Sequence, residues 1–217
     1  MNATHTDAPK QYYLQDSRGN IGDNLSFWRA AGGYTTDILA AELFSEDKAF
    51  DQNASRSSDL PWPTAYLAEH IRPVVDMQCV NAEQALPFTD GEHFYRQHPN
   101  RQYIGNDILF QKAAGTGYTT NLTQAKVFSR SEVSESALKP MPGIFWPKVY
   151  IDSKSRFAAD YHSADIKQAL AQAQPARTLA KPDKVRSQRH RCHGCGVFLS
   201  AVNYYGDCPK CGADNRP

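Results

Sequence analysis

Four cysteines near the end of this 217-residue chain have a spacing that could bind a metal ion. They form two Cys-x-x-Cys-Gly motifs, at residues 192–196 and 208–212, with twelve residues between the two inner cysteines. Two such turns can bring four thiolates around one tetrahedral cation at metal–sulfur distances of about 2.3 Å. The glycine that ends each motif lets the backbone curl so that peptide N–H groups point at the sulfurs. Paired cysteines in a chain without an export signal favour a metal over disulfides.

The predicted metal ligands are Cys192, Cys195, Cys208 and Cys211. Four thiolates complete the shell and leave no position for water, so the motif predicts one structural ion rather than a catalytic one. Zn²⁺ is the expected ion. Iron stays open, because Cys-Pro-x-Cys-Gly is also the motif of rubredoxin iron sites. In so short a segment the metal largely replaces an apolar core, and folding depends on it.

Residues 191–217 resemble the zinc ribbon family, and all four of the ligand positions match. Flanking His190 and His193 are not needed as ligands, because the cysteines already fill the shell. The fifth cysteine, Cys79, stands alone and is predicted to be a buried, small apolar residue. The expected apolar cover of the ribbon consists of Val197, Phe198, Leu199, Tyr204 and Tyr205.

Basic residues are crowded around the first cysteine motif. Residues 176–217 carry 8 Lys/Arg against 3 Asp/Glu. Such a cluster can neutralise phosphates and bind nucleic acid in a salt-dependent, sequence-independent way. It can equally be a solvated linker, or it can balance the formal charge of −2 on a zinc–tetrathiolate site. The predicted contacts to nucleic acid or to another partner are Lys181, Lys184, Arg186, Arg189, Arg191 and Lys210.

The region before the cysteines repeats itself. Residues 21–32 align with residues 104–115, and after one inserted residue 33–45 align with 117–129. Trp62-Pro63 likewise aligns with Trp146-Pro147, and Arg72 with Arg156. Internal repeats of this kind indicate a duplicated module.

Local signals predict strands and short helices within each copy. Gly22 and Gly105 follow polar, turn-like stretches between aromatic-rich runs, which is typical of hairpins. Asp37 and Asn121 stand where an N-cap residue would accept a backbone N–H. Residues 129–132 have the spacing of a capping box. These signals predict an α+β fold, in which two tandem copies of a small α+β module are followed by a C-terminal zinc ribbon.

The predicted organisation has five segments. A single module of about 60 residues is marginal alone, so two copies could share one core. Alternatively, the pair presents two similar surfaces to a partner, and position 28 (Trp, against Gln111) shows that these surfaces differ. The predicted boundaries are 12–74 for the first repeat, 75–93 for a linker, 94–158 for the second repeat, 159–190 for a helix and basic tether, and 191–217 for the ribbon. The helix is expected near 165–177, with Ile166, Ala169 and Leu170 on its apolar face.

Composition and charge limit the protein class. Apolar residues make up 41% and charged residues 22% of the chain, as in globular proteins. No apolar run approaches the roughly 18 residues of a membrane span, and the first residues lack a signal-peptide pattern. A cytoplasmic protein is therefore expected. Residues 1–90 carry 6 Lys/Arg against 13 Asp/Glu, an acidic balance that bears on the partner rather than on the fold.

Catalytic motifs are scarce in the sequence. It contains no phosphate-binding glycine loop, no His-Glu-x-x-His and no Gly-x-Ser-x-Gly. His93, His98 and His162 are the candidate general bases, and each is better explained as a surface or core residue. We therefore expect a protein that is not an enzyme. An unrecognised hydrolase or transferase ranks behind two binding functions.

The segments YYLQDSR and GYTTD with the Trp-Pro turn resemble small proteins carried by bacteriophages and other mobile elements, over most of residues 12–158. The resemblance implies a non-enzymatic binding protein, namely an anti-defence (anti-CRISPR-like) inhibitor that docks on a host nucleoprotein complex or nuclease. The alternative is a nucleic-acid-binding accessory protein that uses the ribbon and the basic tether. A monomer and a homodimer are expected equally.

Overall fold

The structure is a computed structural model, and the described residues are 10–133, 145–173, 177–181, 190–200 and 203–216. Two compact units make up the chain, Met1–Lys181 and Pro182–Pro217. The first unit contains both repeats and the second contains the cysteine motifs. Helices and several small sheets occur together, so the predicted α+β class is confirmed. The finer domain boundaries stay a prediction.

The strands of the first repeat are β1 Gln11–Asp16, β2 Phe27–Trp28, β3 Tyr34–Thr35, β4 Leu43–Ser45, β5 Asp59–Pro63 and β6 Ile71–Val74. Those that follow are β7 His93–Arg96, β8 Tyr103–Ile104, β9 Asp107–Ile108, β10 Phe110–Gln111, β11 Tyr118–Thr119, β12 Val127–Ser129, β13 Phe145–Pro147 and β14 Arg156–Ala159. The α-helices are α1 Glu46–Ser55, α2 Thr64–Leu67, α3 Ala82–Ala85, α4 Lys148–Ser153 and α5 Ile166–Gln172. Short 3₁₀ helices cover Ile38–Ala40, Met77–Cys79, Leu86–Phe88, Leu122–Gln124 and Arg130–Glu132.

Each repeat is organised around one central antiparallel strand. In the first repeat the whole of β5 pairs with β1, and the other edge of β1 pairs with β4 and β2. In the second repeat β7 lies between β12 and β13 in the same way. The central strands alternate between two apolar faces, because one side of each sheet packs on the main core and the other on a smaller cluster.

The Trp-Pro motif makes the same contacts in both copies. The indole Nε1 of Trp62 donates to Gln15 Oε1 at 2.8 Å, and that of Trp146 donates to Gln97 Oε1 at 2.8 Å. Each indole is buried, so a polar partner for its N–H is needed. The proline that follows ends the strand and begins a short helix, α2 in the first repeat and α4 in the second.

The predicted caps and turns are confirmed. Asp37 accepts from Leu39 N at 3.1 Å, and Asn121 accepts from Thr123 N at 3.0 Å. Residues 129–132 form the capping box. Gly22 and Gly105 both have φ of 60°, the left-handed region that favours glycine.

Two sequence predictions about single elements are modified. Cys79 is exposed rather than buried, because it ends a 3₁₀ turn whose residues all face away from the core. The predicted helix near 165–177 is shorter, Ile166–Gln172, but its apolar face is as expected: Ala169 and Leu170 are buried and Ile166 packs beside them. Among the described residues there is no helix with the length and apolarity needed to cross a membrane.

Candidate metal centre

Both cysteine motifs fold into the same tight turn. The N–H of Gly196 donates to the carbonyl of Cys192 at 2.8 Å, and the N–H of Gly212 donates to that of Cys208 at 2.8 Å. The two glycines have φ of 70° and 72°. A residue with a Cβ would be strained in this left-handed conformation, which explains why glycine ends each motif.

The two turns bring all four thiols together. Their Sγ atoms lie within 4.8 Å of one another. Cys192 Sγ is 3.6 Å from Cys211 Sγ, and Cys195 Sγ is 3.8 Å from Cys208 Sγ. A tetrahedron with metal–sulfur bonds of 2.3 Å has sulfur–sulfur edges of about 3.8 Å. These two distances match such an edge, and the four predicted ligands form one cluster that could hold a single metal ion.

Peptide N–H groups point at the sulfurs, as the motif predicts. The N–H of Gly194 donates to Cys192 Sγ at 3.3 Å, and the N–H of Lys210 donates to Cys208 Sγ at 3.4 Å. Such bonds stabilise thiolates and orient them as ligands. The second residue between the cysteines is restricted in the first motif, because a Cβ on Gly194 would lie 2.8 Å from the Cβ of Ala213.

Two thiols of the cluster, Cys192 and Cys211, differ widely in pKa. Peptide N–H groups, that of Cys195 first and that of Gly194 as well, lower the pKa of Cys192 to about 6. For Cys211, the N–H of Ala213 acts to lower the pKa, but hydrogen bonding to the other sulfurs, led by Cys195, raises it to about 12. Neighbouring sulfurs thus share the remaining protons, and a bound cation would displace them.

One side of the cluster faces solvent. The first cysteine of each motif is buried, with Cys192 2% and Cys208 3% exposed. The second cysteine of each motif, Cys195 and Cys211, is exposed. Chelators in solution can therefore reach two of the four sulfurs.

The apolar cover of the cluster is smaller than predicted. Leu199 is buried against Cys192 and Cys208, and Val197 and Tyr204 pack on this group. By contrast, Phe198 is 49% and Tyr205 67% exposed. Their inclusion in the cover is corrected: Phe198 points away from its buried neighbour Leu199, as alternate residues of an extended segment do.

Sequence reasoning missed Asn215, which connects the two motifs. Its Oδ1 accepts from the backbone N of His193 at 3.2 Å. Its Nδ2 donates to the carbonyls of Gly206 at 3.2 Å and Ala213 at 3.0 Å. The available signal was an asparagine three residues beyond a Cys-Gly turn, since asparagine commonly bonds to nearby backbone in turns.

Three of the six predicted contact residues lie within the described part of the chain, and the role of all six stays a prediction. Lys181 is exposed in the first unit, whereas Arg191 and Lys210 are exposed in the second. The Arg191 guanidinium lies 4.0 Å from the ring centroid of Phe198 and also donates to the carbonyl of Gly196 at 3.3 Å. The remaining three, Lys184, Arg186 and Arg189, lie outside the described residues.

The three candidate histidine bases lie at exposed positions or pack on an aromatic ring. His98 packs on Tyr118 with ring centroids 4.3 Å apart. His162 Nε2 lies 3.1 Å from Asp23 Oδ1 at an exposed position. His93 is exposed at the start of β7. An open depression of about 510 Å³ in the second repeat is lined by Asn100, Arg101, Gln102, Tyr103, Ile104 and Leu109. His98 borders it, since its Nδ1 accepts from the backbone N of Asn100 at 3.2 Å.

A buried polar network lies between the repeats, and sequence reasoning missed it as well. Asp107 is 1% exposed, accepts from Asn24 Nδ2 at 2.5 Å and pairs with Arg156 Nη2 at 2.8 Å. Burial raises the pKa of Asp107, and the bonds to Arg156 and Asn24 only partly oppose this effect. The network holds the two repeats together, which explains a buried carboxylate without assigning it to catalysis.

No protein-family model, no curated protein and no solved structure matches this chain. The resemblance of the repeats to proteins of mobile elements therefore gains no support from these comparisons, and the metal-binding cluster is supported by its geometry.

Proposed function

We propose that this chain is a non-enzymatic binding protein whose acidic first repeat docks on a basic, nucleic-acid-handling surface of a host complex, as an anti-defence inhibitor would. Its C-terminal unit would fold around one Zn²⁺ ion held by Cys192, Cys195, Cys208 and Cys211. The four-thiolate geometry supports a structural role for this ion, and zinc is the metal that such closed shells commonly hold.

The distribution of ion pairs in the first repeat is the observation that carries the proposal. Three of its five Lys/Arg are used inside the fold: Arg18 and Arg56 pair with Asp16, and Arg72 pairs with Asp160. Four of its carboxylates form no ion pair within the described part of the chain, namely Asp37, Glu42, Asp51 and Glu69. Against these four carboxylates, only Arg29 and Lys48 of the first repeat form no ion pair within the described residues, so the unpaired charges keep the acidic balance of the composition.

An acidic surface of this kind favours a basic partner. Complementary charge accelerates encounter and suppresses wrong partners, and its effect falls with ionic strength. Surfaces that handle nucleic acid are basic because they neutralise phosphates. A protein that covers such a surface would block nucleic-acid binding in a stoichiometric way, without turnover.

The test is inhibition of an RNA-guided nuclease complex by the purified full chain. We expect DNA cleavage to fall with an end point near one chain per complex and to recover as salt is raised. Reversing exposed acidic residues, with Asp51→Lys and Glu69→Lys together, should weaken inhibition at least about tenfold. The control adds positive charge to the second repeat with Gln102→Lys and Ala114→Lys, and it should retain inhibition. Unchanged cleavage at micromolar chain across several such complexes would exclude this class of target.

The metal assignment has a separate test. Elemental analysis of the purified chain should return one zinc per chain and no stoichiometric iron. The same measurement on Cys208→Ala should lose the zinc, whereas Cys79→Ala should retain it, because the Cys79 thiol lies in the first unit and outside the cluster. Stoichiometric iron in the native chain would contradict the assignment of zinc.

A second candidate function is nucleic-acid binding by the C-terminal unit. One observation favours it: the Arg191 guanidinium stacks on the half-exposed Phe198, and Tyr205 is also exposed. Exposed aromatic rings beside cations are a common platform for unpaired bases. Binding of the full chain to labelled single- and double-stranded DNA and RNA should then fall steeply with salt and should be lost in Arg191→Ala/Lys210→Ala. No binding at micromolar concentration and low salt would eliminate this candidate.

A further inference from the structure

The segment that ends each repeat and continues beyond it packs on the other repeat. We name residues 71–86 the first arm and residues 155–170 the second arm. Their strands, β6 and β14, pair antiparallel with each other, in a register that places Arg72 opposite Ala158 and Arg156 opposite Val74. Moving each residue by 84 positions converts one of these pairs into the other. The two arms are therefore related by a local two-fold axis that passes through the Pro73–Phe157 pair.

Backbone hydrogen bonds show the exchange directly. The first arm accepts from the second repeat, since Ile108 N donates to Val75 O at 2.9 Å. The second arm accepts from the first repeat, since Leu25 N donates to Ala159 O at 3.0 Å. The next two backbone hydrogen bonds also correspond: Met77 N donates to Asn106 O and Tyr161 N donates to Asp23 O, each at 2.8 Å. Each arm thus extends the backbone pairing of the repeat to which it does not belong.

The arms also complete the opposite cores. Val75 and Ala85 are buried with the second-repeat residues Tyr95, Ile108 and Trp146. At the corresponding place, Ala159 and Ala169 are buried with the first-repeat residues Phe27, Trp62 and Leu67. The helix at the end of each arm is held in the same manner, because Asn81 N donates to Tyr150 OH and Asp165 N donates to Tyr66 OH.

The two repeats meet on the axis through glycines. A Cβ on Gly22 would lie 2.7 Å from Gly105 N, and a Cβ on Gly105 would lie 2.6 Å from Gly22 N. Both contacts join main chain to main chain. Only glycine in both copies permits this approach, so the contact face is built the same way on each repeat.

One polar pair breaks the symmetry of this face. Asn24 and Asp107 occupy corresponding positions, 83 residues apart, and they bond to each other across the axis at 2.5 Å. Both are buried, Asn24 at 0% and Asp107 at 1% exposure. Each is also contacted by the arginine of its own copy, Arg72 to Asn24 and Arg156 to Asp107.

We infer that this face is a docking surface for a second repeat of the same kind, and that two repeats join by exchanging arms. The Asn24–Asp107 pair then makes a first repeat join a second repeat in preference to two identical repeats joining each other. Within one chain the first and second repeats occupy each other's docking surface. A second repeat that met another second repeat would place two Asp107 carboxylates where one amide–carboxylate bond now lies. Two buried carboxylates in contact repel each other, and they cannot both stay ionised.

The experiment uses the full chain with a protease site inserted between Asp90 and Gly91, in the exposed segment after the first arm. After folding and cleavage, the fragments 1–90 and 91–217 should remain one particle in native mass spectrometry at micromolar concentration. The cut protein is then unfolded in denaturant, refolded and measured again. We expect most particles to contain one fragment 1–90 and one fragment 91–217. Pairs of two 91–217 fragments should be about tenfold or more rarer than they are in the Asp107→Asn protein.

Matched variants decide between selection and general destabilisation. Asp160→Asn removes another carboxylate of the same fragment, one that pairs with Arg72 rather than with Asn24. In this variant fragment 1–90 should still pair with fragment 91–217. Asn24→Asp creates a carboxylate pair in the native chain and should lower the share of unlike pairs. Fragments that separate after cleavage would overturn the docking surface. Equal self-pairing of fragment 91–217 in the native and Asp107→Asn proteins would overturn the selection.

Discussion

Replacing Gly105 by alanine tests the contact between the two repeats. Gly105 has φ of 60°, and a Cβ there would lie 2.6 Å from Gly22 N and 2.8 Å from Gly22 Cα. Both neighbours are backbone atoms, which cannot rotate away as a side chain could. The substitution therefore combines a strained backbone with a clash between the repeats.

The magnitude can be separated into two parts by a control that the chain offers. Gly115 also has a left-handed φ, 72°, but nothing lies within 4 Å of its would-be Cβ. Alanine at Gly115 should cost only the conformational part, about 1 to 2 kcal/mol. Alanine at Gly105 should cost this and a further overpacking contribution of about 1 to 3 kcal/mol. For a body of this size the extra contribution lowers Tm by about 2 to 12 °C relative to Gly115→Ala.

The assay is thermal and denaturant unfolding of both variants, followed by tryptophan fluorescence, which reports on the buried indoles Trp62 and Trp146 in the two repeats. Gly22→Ala should behave as Gly105→Ala does, since the contact is reciprocal. Equal unfolding free energies for Gly105→Ala and Gly115→Ala would refute the close contact of the repeats.

Three further outcomes are expected. Removing the metal with a chelator should abolish amide protection in residues 190–216 and leave the first unit protected in hydrogen exchange, because the cluster replaces an apolar core. Trp62→Phe should cost about 1 to 3 kcal/mol in denaturant unfolding, because it leaves the buried Gln15 Oε1 without its donor at 2.8 Å; a cost near zero would contradict that bond. Because burial raises the folded-state pKa of Asp107 above its usual 3.8, the folded state holds its proton more tightly than the unfolded state. The stability of the native protein relative to Asp107→Asn should therefore fall as pH rises from about 4 through the raised pKa, and unfolding curves measured from pH 4 to 7 would show no trend if the carboxylate were solvated.

Features that depend on a few adjacent residues were predictable from the sequence. The metal ligands follow from the cysteine spacing, because a Cys-x-x-Cys-Gly turn makes its own hydrogen bonds within five residues. The caps at Asp37 and Asn121 are equally local, since each side chain bonds two residues further on.

Features that depend on the path of the chain through space were not predictable in this way. The sequence contained a signal for the arms, because Gln84-Ala85-Leu86 recurs as Gln168-Ala169-Leu170 at the same shift as the Trp-Pro motif. That signal shows that the arms are alike, but it cannot show on which repeat each one packs. A buried alanine satisfies either core equally well, so the choice is made by the pairing of the strands that precede it.

Exposure of single side chains was also missed where tertiary packing decides it. Cys79 is apolar in type but lies on a 3₁₀ turn whose residues are all exposed. Asp107 is charged in type but is buried, because Asn24 and Arg156 arrive from elsewhere in the chain to satisfy it.

The crossing of the arms also sets an order of events during synthesis on the ribosome. The first repeat and its arm are complete in sequence by Leu86, yet the helix that closes the core of this repeat, Ile166–Gln172, leaves the ribosome some 84 residues later. At translation rates of about 5 to 20 residues per second, the nascent first repeat waits roughly 4 to 17 s with part of its apolar face uncovered. The N-terminal half of this protein is therefore translated first but finishes folding together with the half that follows it, and nascent-chain chaperones have a defined interval in which to bind it.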